Sequence, residues 1–259
     1  MLSEPTNAIP CSNTVQASIT RALAALDRKQ YFKLIAGASL TNARAVAALA
    51  QVYGALAPAR VACIDVAPDW AVVNAAHQVL QTLESPPLLM VSLDVDGDPH
   101  FRKAALDADV CTTCQACIPV CPTGAFQLTD SSAPGEHAQL QYHLPDCYGC
   151  GRCIPVCPVE ALTLQKTETL PEAMVALLQH PAVGAVELHT EALNATTLAP
   201  LLITLGDALA GKLVSICFRP NANATQANAA LTKLEQWLPQ WAGLMFQVDG
   251  QPMSGTPDA

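Results

Sequence analysis

The sequence CTTCQACIPVCP at residues 111–122 returns as CYGCGRCIPVCP at residues 147–158. Both copies have the spacing C-x2-C-x2-C-x3-C-P, which is typical of bacterial-type [4Fe–4S] cluster sites. The offset between the copies is constant (147 − 111 = 36), and it also relates the Ile-Pro-Val residues, which are not ligands. The region is therefore an internal duplication that predicts an iron–sulfur module.

Each copy supplies three cysteines from one tight loop, and a four-iron cubane needs a fourth thiolate. In two-cluster ferredoxins the fourth ligand comes from the other copy. We therefore expect two [4Fe–4S] clusters, one held by Cys111, Cys114, Cys117 and Cys157, the other by Cys147, Cys150, Cys153 and Cys121. Paired C-x2-C segments also suit zinc, but zinc does not explain the third cysteine of each triplet or the Cys-Pro ending. Nothing in the chain indicates export, so disulfides are not favoured.

Short apolar runs that alternate with helical patterns lie on both sides of the cysteines. Strands are predicted at residues 31–36, 61–66, 88–93, 184–189, 212–218 and 244–248. Helices are predicted from residue 14, at 41–56, at 69–84 with Asp69 as its N-cap, and at 171–179, 198–210 and 224–237. This alternation is typical of a parallel sheet that is covered by helices.

The predicted fold class is thus α/β, with a parallel (β/α) barrel-like sheet and an inserted two-cluster ferredoxin-like α+β module. A closed barrel needs eight βα units, and six are present, so the sheet is either open or an incomplete barrel, which we favour. The predicted divisions are an N-terminal extension and helix (1–30), the first half of the barrel-like domain (31–106), the ferredoxin-like insertion (107–168) and the second part of the α/β domain (169–259).

Polar residues lie at the ends of the predicted strands or directly after them, at the edge where barrels carry their active sites. They are Ser39, Asp65, Asp94, Asp96, His100, Arg102, Lys103, Glu187, His189, Arg219, Asp249, Gln251 and Ser254. Each one alone fits a structural role in a loop, so their convergence at the barrel mouth is a hypothesis.

Composition narrows the class of protein. The chain has 259 residues, of which 51% are hydrophobic and 14% charged, and its net charge is −9. An acidic chain has no electrostatic footprint for nucleic acid, although it could dock on a basic redox partner. No signal peptide or transmembrane segment is predicted, since the most apolar window (198–218) is interrupted by Asp207 and Lys212. We expect a cytoplasmic protein.

Several segments resemble the cyanobacterial light-dependent period (LdpA) family. They are YFKLIAGAS (31–39), CIDVA (63–67), MVSL (90–93), DPHFRKA (98–104), CYGCGRC (147–153) and DGQPMSG (249–255). The resemblance implies an iron–sulfur protein that reports cellular redox state, set by light-driven electron flow, to the circadian clock through clock input proteins. Family members continue beyond the DGQPMSG segment, so the resemblance also implies that this chain is short at its C-terminus.

Two functions from different classes follow. The first is a redox sensor or electron-transfer regulator, whose cluster potentials Arg152, Gly149 and Gly151 could tune. The second is a ferredoxin-coupled barrel oxidoreductase with a flavin or small-molecule site at the barrel mouth. We favour the regulator, because the chain has no Gly-rich dinucleotide fingerprint and no recognisable catalytic constellation. Clusters that only brace the fold are a third possibility.

Overall fold

A computed structural model of the protein describes residues 12–56, 60–129, 138–167, 169–219 and 224–248. The helices in these ranges are α1 (Asn13–Asp27), α2 (Ala43–Gly54), α3 (Trp70–Leu80), α4 (Pro171–Leu178), α5 (Ala195–Leu205) and α6 (Ala224–Leu234). The strands are β1 (Lys33–Ile35), β2 (Cys63–Val66), β3 (Leu88–Asp94), β4 (Arg102–Leu106), β5 (Phe126–Leu128), β6 (Leu140–Tyr142), β7 (Leu162–Lys166), β8 (Val183–His189), β9 (Leu213–Phe218) and β10 (Gly243–Val248).

Six strands form one parallel sheet in the order β1-β2-β3-β8-β9-β10. The order of the strands in the sheet is the same as their order along the chain, as in a (β/α) barrel. The sheet curls into a half-barrel. The predicted α/β class and the incomplete barrel are therefore confirmed. The predicted N-cap of α3 also forms, since Asp69 accepts a hydrogen bond from the Val72 N–H at 3.0 Å.

The two faces of the half-barrel have different coverings. On the outer face, Ile64, Val91 and Leu188 belong to a large apolar core that the helices after each strand complete. On the inner face, α1 covers the half of the sheet near the N-terminal ends of the strands, where Ile19 packs with Met90. Beyond α1, toward the C-terminal ends of the strands, the inner face carries the buried polar residues Asp65, Glu187 and His189.

The duplicated cysteines lie between β3 and α4, as predicted for the insertion. We refer to residues 102–166 as the cysteine module. Its first and last strands, β4 and β7, pair antiparallel, and so do β5 and β6. A separate small core fills it, in which the rings of Phe126 and Tyr142 stack 4.7 Å apart.

The cysteine module docks on the C-terminal edge of the half-barrel, at the start of α2. Lys103 donates hydrogen bonds from Nζ to Thr41 Oγ1 (2.7 Å) and to the carbonyl oxygen of Leu144 (2.9 Å). The side chain of Asn42 bonds that of Asp146. This edge is where a strand-to-helix insertion in a barrel is expected to lie.

Two further observations concern the extent of the chain. Within the described ranges, no helix has the length and apolar character needed to cross a membrane. The predicted site residues Asp249, Gln251 and Ser254 lie outside the described residues.

Candidate metal centre

The two cysteine copies share one backbone conformation, not only one spacing. Left-handed backbone occurs at Thr113, Gln115 and Gly124 in the first copy and, with the same 36-residue offset (149 − 113), at Gly149, Gly151 and Glu160 in the second. The N–H of Ile118 bonds the Gln115 carbonyl at 3.0 Å, and the N–H of Ile154 bonds the Gly151 carbonyl at the same distance. The duplication seen in the sequence is therefore also a duplication of loop geometry.

The last cysteine of each copy lies with the triplet of the other copy. Cys157 lines the same small cavity as Cys111, Cys114 and Cys117. Burial raises the pKa of Cys117, and the nearby thiols, Cys157 among them, add to that rise. The structure thus brings together the first set of four cysteines that the sequence predicts.

The second set converges in the same way. Burial, together with the neighbouring thiols of Cys147, Cys150 and Cys121, raises the pKa of Cys153 to about 12. Like charges close together disfavour ionisation of each thiol. A bound metal would remove that penalty, because it stabilises the thiolates.

Backbone N–H groups point at the sulfur atoms. Ala125 N–H donates to Cys121 Sγ at 3.3 Å, and at the equivalent place Ala161 N–H donates to Cys157 Sγ at 3.2 Å. Burial opposes ionisation of Cys121, but hydrogen bonds from Thr123 and from the backbone outweigh it and lower its pKa. Such donors stabilise negative charge on sulfur and thereby tune the potential of a cluster.

The donor sets fit an iron–sulfur cofactor. None of the eight cysteines of the two copies forms a disulfide in the structure. Their surroundings include apolar side chains from β4, β6 and the Ile-Pro-Val segments, among them Leu106, Ile118 and Ile154. Four soft thiolate donors in an apolar shell with directed N–H groups suit a cubane.

A second polar group lies on the inner face of the half-barrel, beyond α1. It includes three of the predicted strand-end residues, Asp65, Glu187 and His189, all of which are buried. Lys33 forms an ion pair with Glu187, and its Nζ lies 3.6 Å from Asp65 Oδ2. The predicted convergence at the barrel mouth is therefore real for these three residues.

Other predicted strand-end residues have local roles. Asp94 caps a turn by accepting from the Gly97 N–H at 2.8 Å, and Asp96 accepts from the Thr190 hydroxyl at 2.7 Å. Ser39 donates to the carbonyl oxygen of His100. These contacts hold the loops at the mouth and do not extend the buried group.

Sequence reasoning missed several members of this group. Lys33, Ser92, Asp98 and Cys217 were not identified as site residues, although they lie in or beside predicted strands. The only available signal was a polar residue within an apolar strand, as Ser92 is in β3. Ser92 donates to both carboxylate oxygens of Asp65, at 2.8 and 2.9 Å.

Burial sets the electrostatics of the group. It raises the pKa of Asp65, although Lys33, His189 and Ser92 act in the opposite direction. At Asp98 the balance is reversed, because hydrogen bonds with His100 and His189 outweigh burial and hold the pKa of that carboxyl well below its usual range. Carboxyls in one group are thus driven toward opposite protonation states.

Two known protein families match this chain, one over the cysteine module and the other over the C-terminal part. Residues 110–161 match the 4Fe-4S dicluster domain family, and residues 177–257 match the Light dependent period A C-terminal domain. The chain is also similar to Light dependent period A of Synechococcus elongatus, with 35% identity over 241 residues, which is 90% of this chain. It spans 64% of the length of that relative.

Proposed function

Because this chain is a light dependent period A-like protein with an iron–sulfur cluster domain, we propose that it holds two [4Fe–4S] clusters and acts as a redox sensor or electron-transfer regulator. The observation that carries the proposal is the position of the fourth cysteines, since Cys157 lines a cavity with the first triplet and Cys121 acts electrostatically on Cys153 of the second. Two-cluster electron carriers use this arrangement, whereas a zinc ribbon does not require it.

In the proposed ligation, Cys111, Cys114, Cys117 and Cys157 hold one cluster, and Cys147, Cys150, Cys153 and Cys121 hold the other. The clusters would supply reversible one-electron chemistry. The protein would supply fixed thiolates, an apolar shell and N–H donors such as those of Ala125 and Ala161, which favour the more negative, reduced form.

A change in the oxidation state of the clusters changes the charge of the cysteine module, and that change could be transmitted to the half-barrel and to partner proteins. The module is bonded to the start of α2 through Lys103 and Asn42, so a change in its charge acts directly on the C-terminal edge of the half-barrel. The chain is acidic, and its surface suits a partner with a basic patch. By similarity to its relative, we propose that those partners are cytoplasmic clock input proteins and that the signal reports light-driven electron flow.

Anaerobic purification followed by iron and sulfide analysis tests the proposal. Two cubanes give about eight irons per chain, and electron paramagnetic resonance during a redox titration should show reversible reduction. A colourless protein, or one that carries zinc in both cysteine sites, would overturn the proposal. Clusters that cannot be reduced and reoxidised would reduce their role to bracing the fold.

A ferredoxin-coupled oxidoreductase is the second candidate. One observation favours it, namely that the buried group of Lys33, Asp65 and Glu187 lies on the half-barrel edge where the cysteine module docks. A flavin or another chromophore bound to the purified protein would support this function over the regulator.

A further inference from the structure

Three potential metal donors meet on the inner face of the half-barrel, apart from the eight cysteines of the module. Glu187 and His189 come from β8, and Cys217 comes from the neighbouring strand β9, where it is the register partner of His189. All three residues are buried, and one potential ligand atom of each lies within 4.8 Å of those of the other two.

Two polar atoms of this group, one from Glu187 and one from His189, are not satisfied by the protein around them. Within the described residues, neither His189 Nε2 nor Glu187 Oε1 has a hydrogen-bond partner. Only 8% of the His189 side chain and none of the Glu187 side chain is exposed. A buried polar atom without a partner destabilises the fold, so a protein rarely keeps two that face each other without a ligand.

The distance between two of these atoms fits a shared metal better than a hydrogen bond. His189 Nε2 lies 3.5 Å from Glu187 Oε1, which exceeds the usual range of about 2.7–3.2 Å for an N–H···O bond. Two ligands on a tetrahedral ion with bonds of about 2.0–2.1 Å are separated by about 3.3–3.4 Å. The pair is therefore spaced like adjacent ligands of one ion.

The other face of the imidazole has the support that metal-bound histidines use. His189 Nδ1 faces Asp98, whose Oδ2 lies 3.6 Å away. Asp98 is itself held by His100, which bonds it through Nδ1 at 2.6 Å and through its backbone N–H at 2.7 Å. A carboxylate behind a histidine fixes the ring with its proton on Nδ1, and leaves Nε2 to bind metal.

Lys33 does not neutralise Glu187 alone, because its Nζ lies between two buried carboxylates, Asp65 and Glu187. A divalent ion at the three donors would add to the positive charge that Glu187 receives, and it would stabilise Cys217 as a thiolate.

We propose that Glu187 Oε1, His189 Nε2 and Cys217 Sγ bind one divalent transition-metal ion, with zinc as the best-suited metal. Imidazole, carboxylate and thiolate together form a borderline donor set that zinc accepts, and three protein ligands leave a fourth position for water or a small molecule. Gln247 donates from Nε2 to Cys217 Sγ at 3.4 Å and orients the sulfur.

A neighbouring triad, Asp98, His100 and His189, is a weaker site for the same ion. The His100 side chain is 42% exposed, and its Nδ1 is already engaged with Asp98. The proposed site is fully buried and keeps that hydrogen bond intact, so Asp98 and His100 support the ligand His189 and do not replace it.

The test uses the cluster-loaded protein, so that the eight module cysteines are occupied by iron. The protein is equilibrated anaerobically with zinc, passed through a desalting column and analysed for zinc and iron. We expect one retained zinc per chain, and X-ray absorption at the zinc edge should show one sulfur ligand with nitrogen and oxygen. No retained zinc, or a shell of sulfur alone, would overturn the proposal.

Variants locate the zinc and separate this site from the clusters. Cys217→Ser should lower zinc retention at least tenfold and remove the zinc–sulfur signal, and His189→Gln should also lower retention at least tenfold, with the iron content unchanged. Cys63→Ser is the matched control, because Cys63 is equally buried on the inner face but lies under α1. Equal zinc in all three variants would refute the assignment. If the parent protein held no iron, that result would contradict the proposed clusters but not the zinc site.

Discussion

Gly149 lies so close to Arg102 that a Cβ added to the glycine would stand 2.1 Å from the Arg102 carbonyl oxygen. The contact joins the first loop of the second cysteine copy to the start of β4. Thr113, at the equivalent position of the first copy, has the same left-handed backbone, with φ 55° against 80° at Gly149. Glycine is therefore required at position 149 by this close approach, and not by the dihedral angle alone.

Gly149→Ala should accordingly disrupt the second cysteine site. The left-handed backbone of an alanine costs about 1–2 kcal/mol, and moving β4 out of contact adds about 1–3 kcal/mol more. Iron analysis should show loss of about half the iron, and thermal unfolding should begin at a lower temperature. Gly124→Ala is the control, because Gly124 has φ +67° but a Cβ added to it would meet no other atom within 4 Å. Equal effects of the two substitutions would contradict the role of the Arg102 contact.

Crossed ligation predicts that single cysteine changes damage the site that is distant in sequence. Cys121→Ser should impair the cluster held by Cys147, Cys150 and Cys153, and Cys157→Ser should impair the other one. Reduced samples with one altered cluster should lose one of the two paramagnetic signals and the magnetic interaction between them.

The reciprocal variants are each other's control. Each should keep about four irons per chain, and the signals that they keep should differ. If Cys121→Ser and Cys111→Ser removed the same signal, each copy would be holding its own cluster, and the crossed arrangement would be wrong.

The fold could be predicted because its signals are local. Apolar runs such as Leu88–Asp94 predict buried parallel strands, and Asp69 predicts a helix start through a bond only three residues long. The spacing of the cysteines is also a local signal, and it predicts that the module binds iron–sulfur clusters. The count of six βα units fits an open sheet as well as an incomplete barrel, and the preference for the barrel rests on the family resemblance.

The group of buried polar residues on the inner face of the half-barrel was predictable only in part, because it depends on the register of the strands and on contacts between residues distant in sequence. Asp65 and Glu187 stand out as charges within apolar strands, whereas Cys217 is indistinguishable in sequence from a core residue. Asp98 reaches His189 only because the loop after β3 folds back over the sheet. The contact of Gly149 with Arg102 likewise has no signature in either segment.

The charge of Arg152 should influence the second cluster. Arg152 lies in the loop between Cys150 and Cys153, and its charge partly offsets the rise in the pKa of Tyr148 that burial causes. A cation favours the more negative, reduced cluster, so Arg152→Ala should lower the midpoint potential of that cluster by roughly 20–40 mV. A redox titration followed by electron paramagnetic resonance measures this shift.

The change should be specific to one cluster and to one charge. Arg44→Ala removes an equal charge from the exposed side of α2, outside the cysteine module, and it should leave both potentials unchanged. If Arg152→Ala left the titration of the second cluster unaltered, Arg152 would have no part in tuning it.

Lys103 provides the test of how the cysteine module is attached. Its side chain is almost completely buried, and it bonds Thr41 of the half-barrel and Leu144 of the module at once. Lys103→Met keeps the volume but leaves the Leu144 carbonyl oxygen without this donor, which should cost about 1–3 kcal/mol. Amide hydrogen exchange should quicken at residues 144–147 and at the start of α2, while β9 stays protected.

Lys233→Met, on the exposed face of α6, should change stability by less than about 0.5 kcal/mol. Unchanged exchange at both ends of the Lys103 bridge would mean that the module is held by its other contacts, and a charge change in the module would then need a different route to the half-barrel.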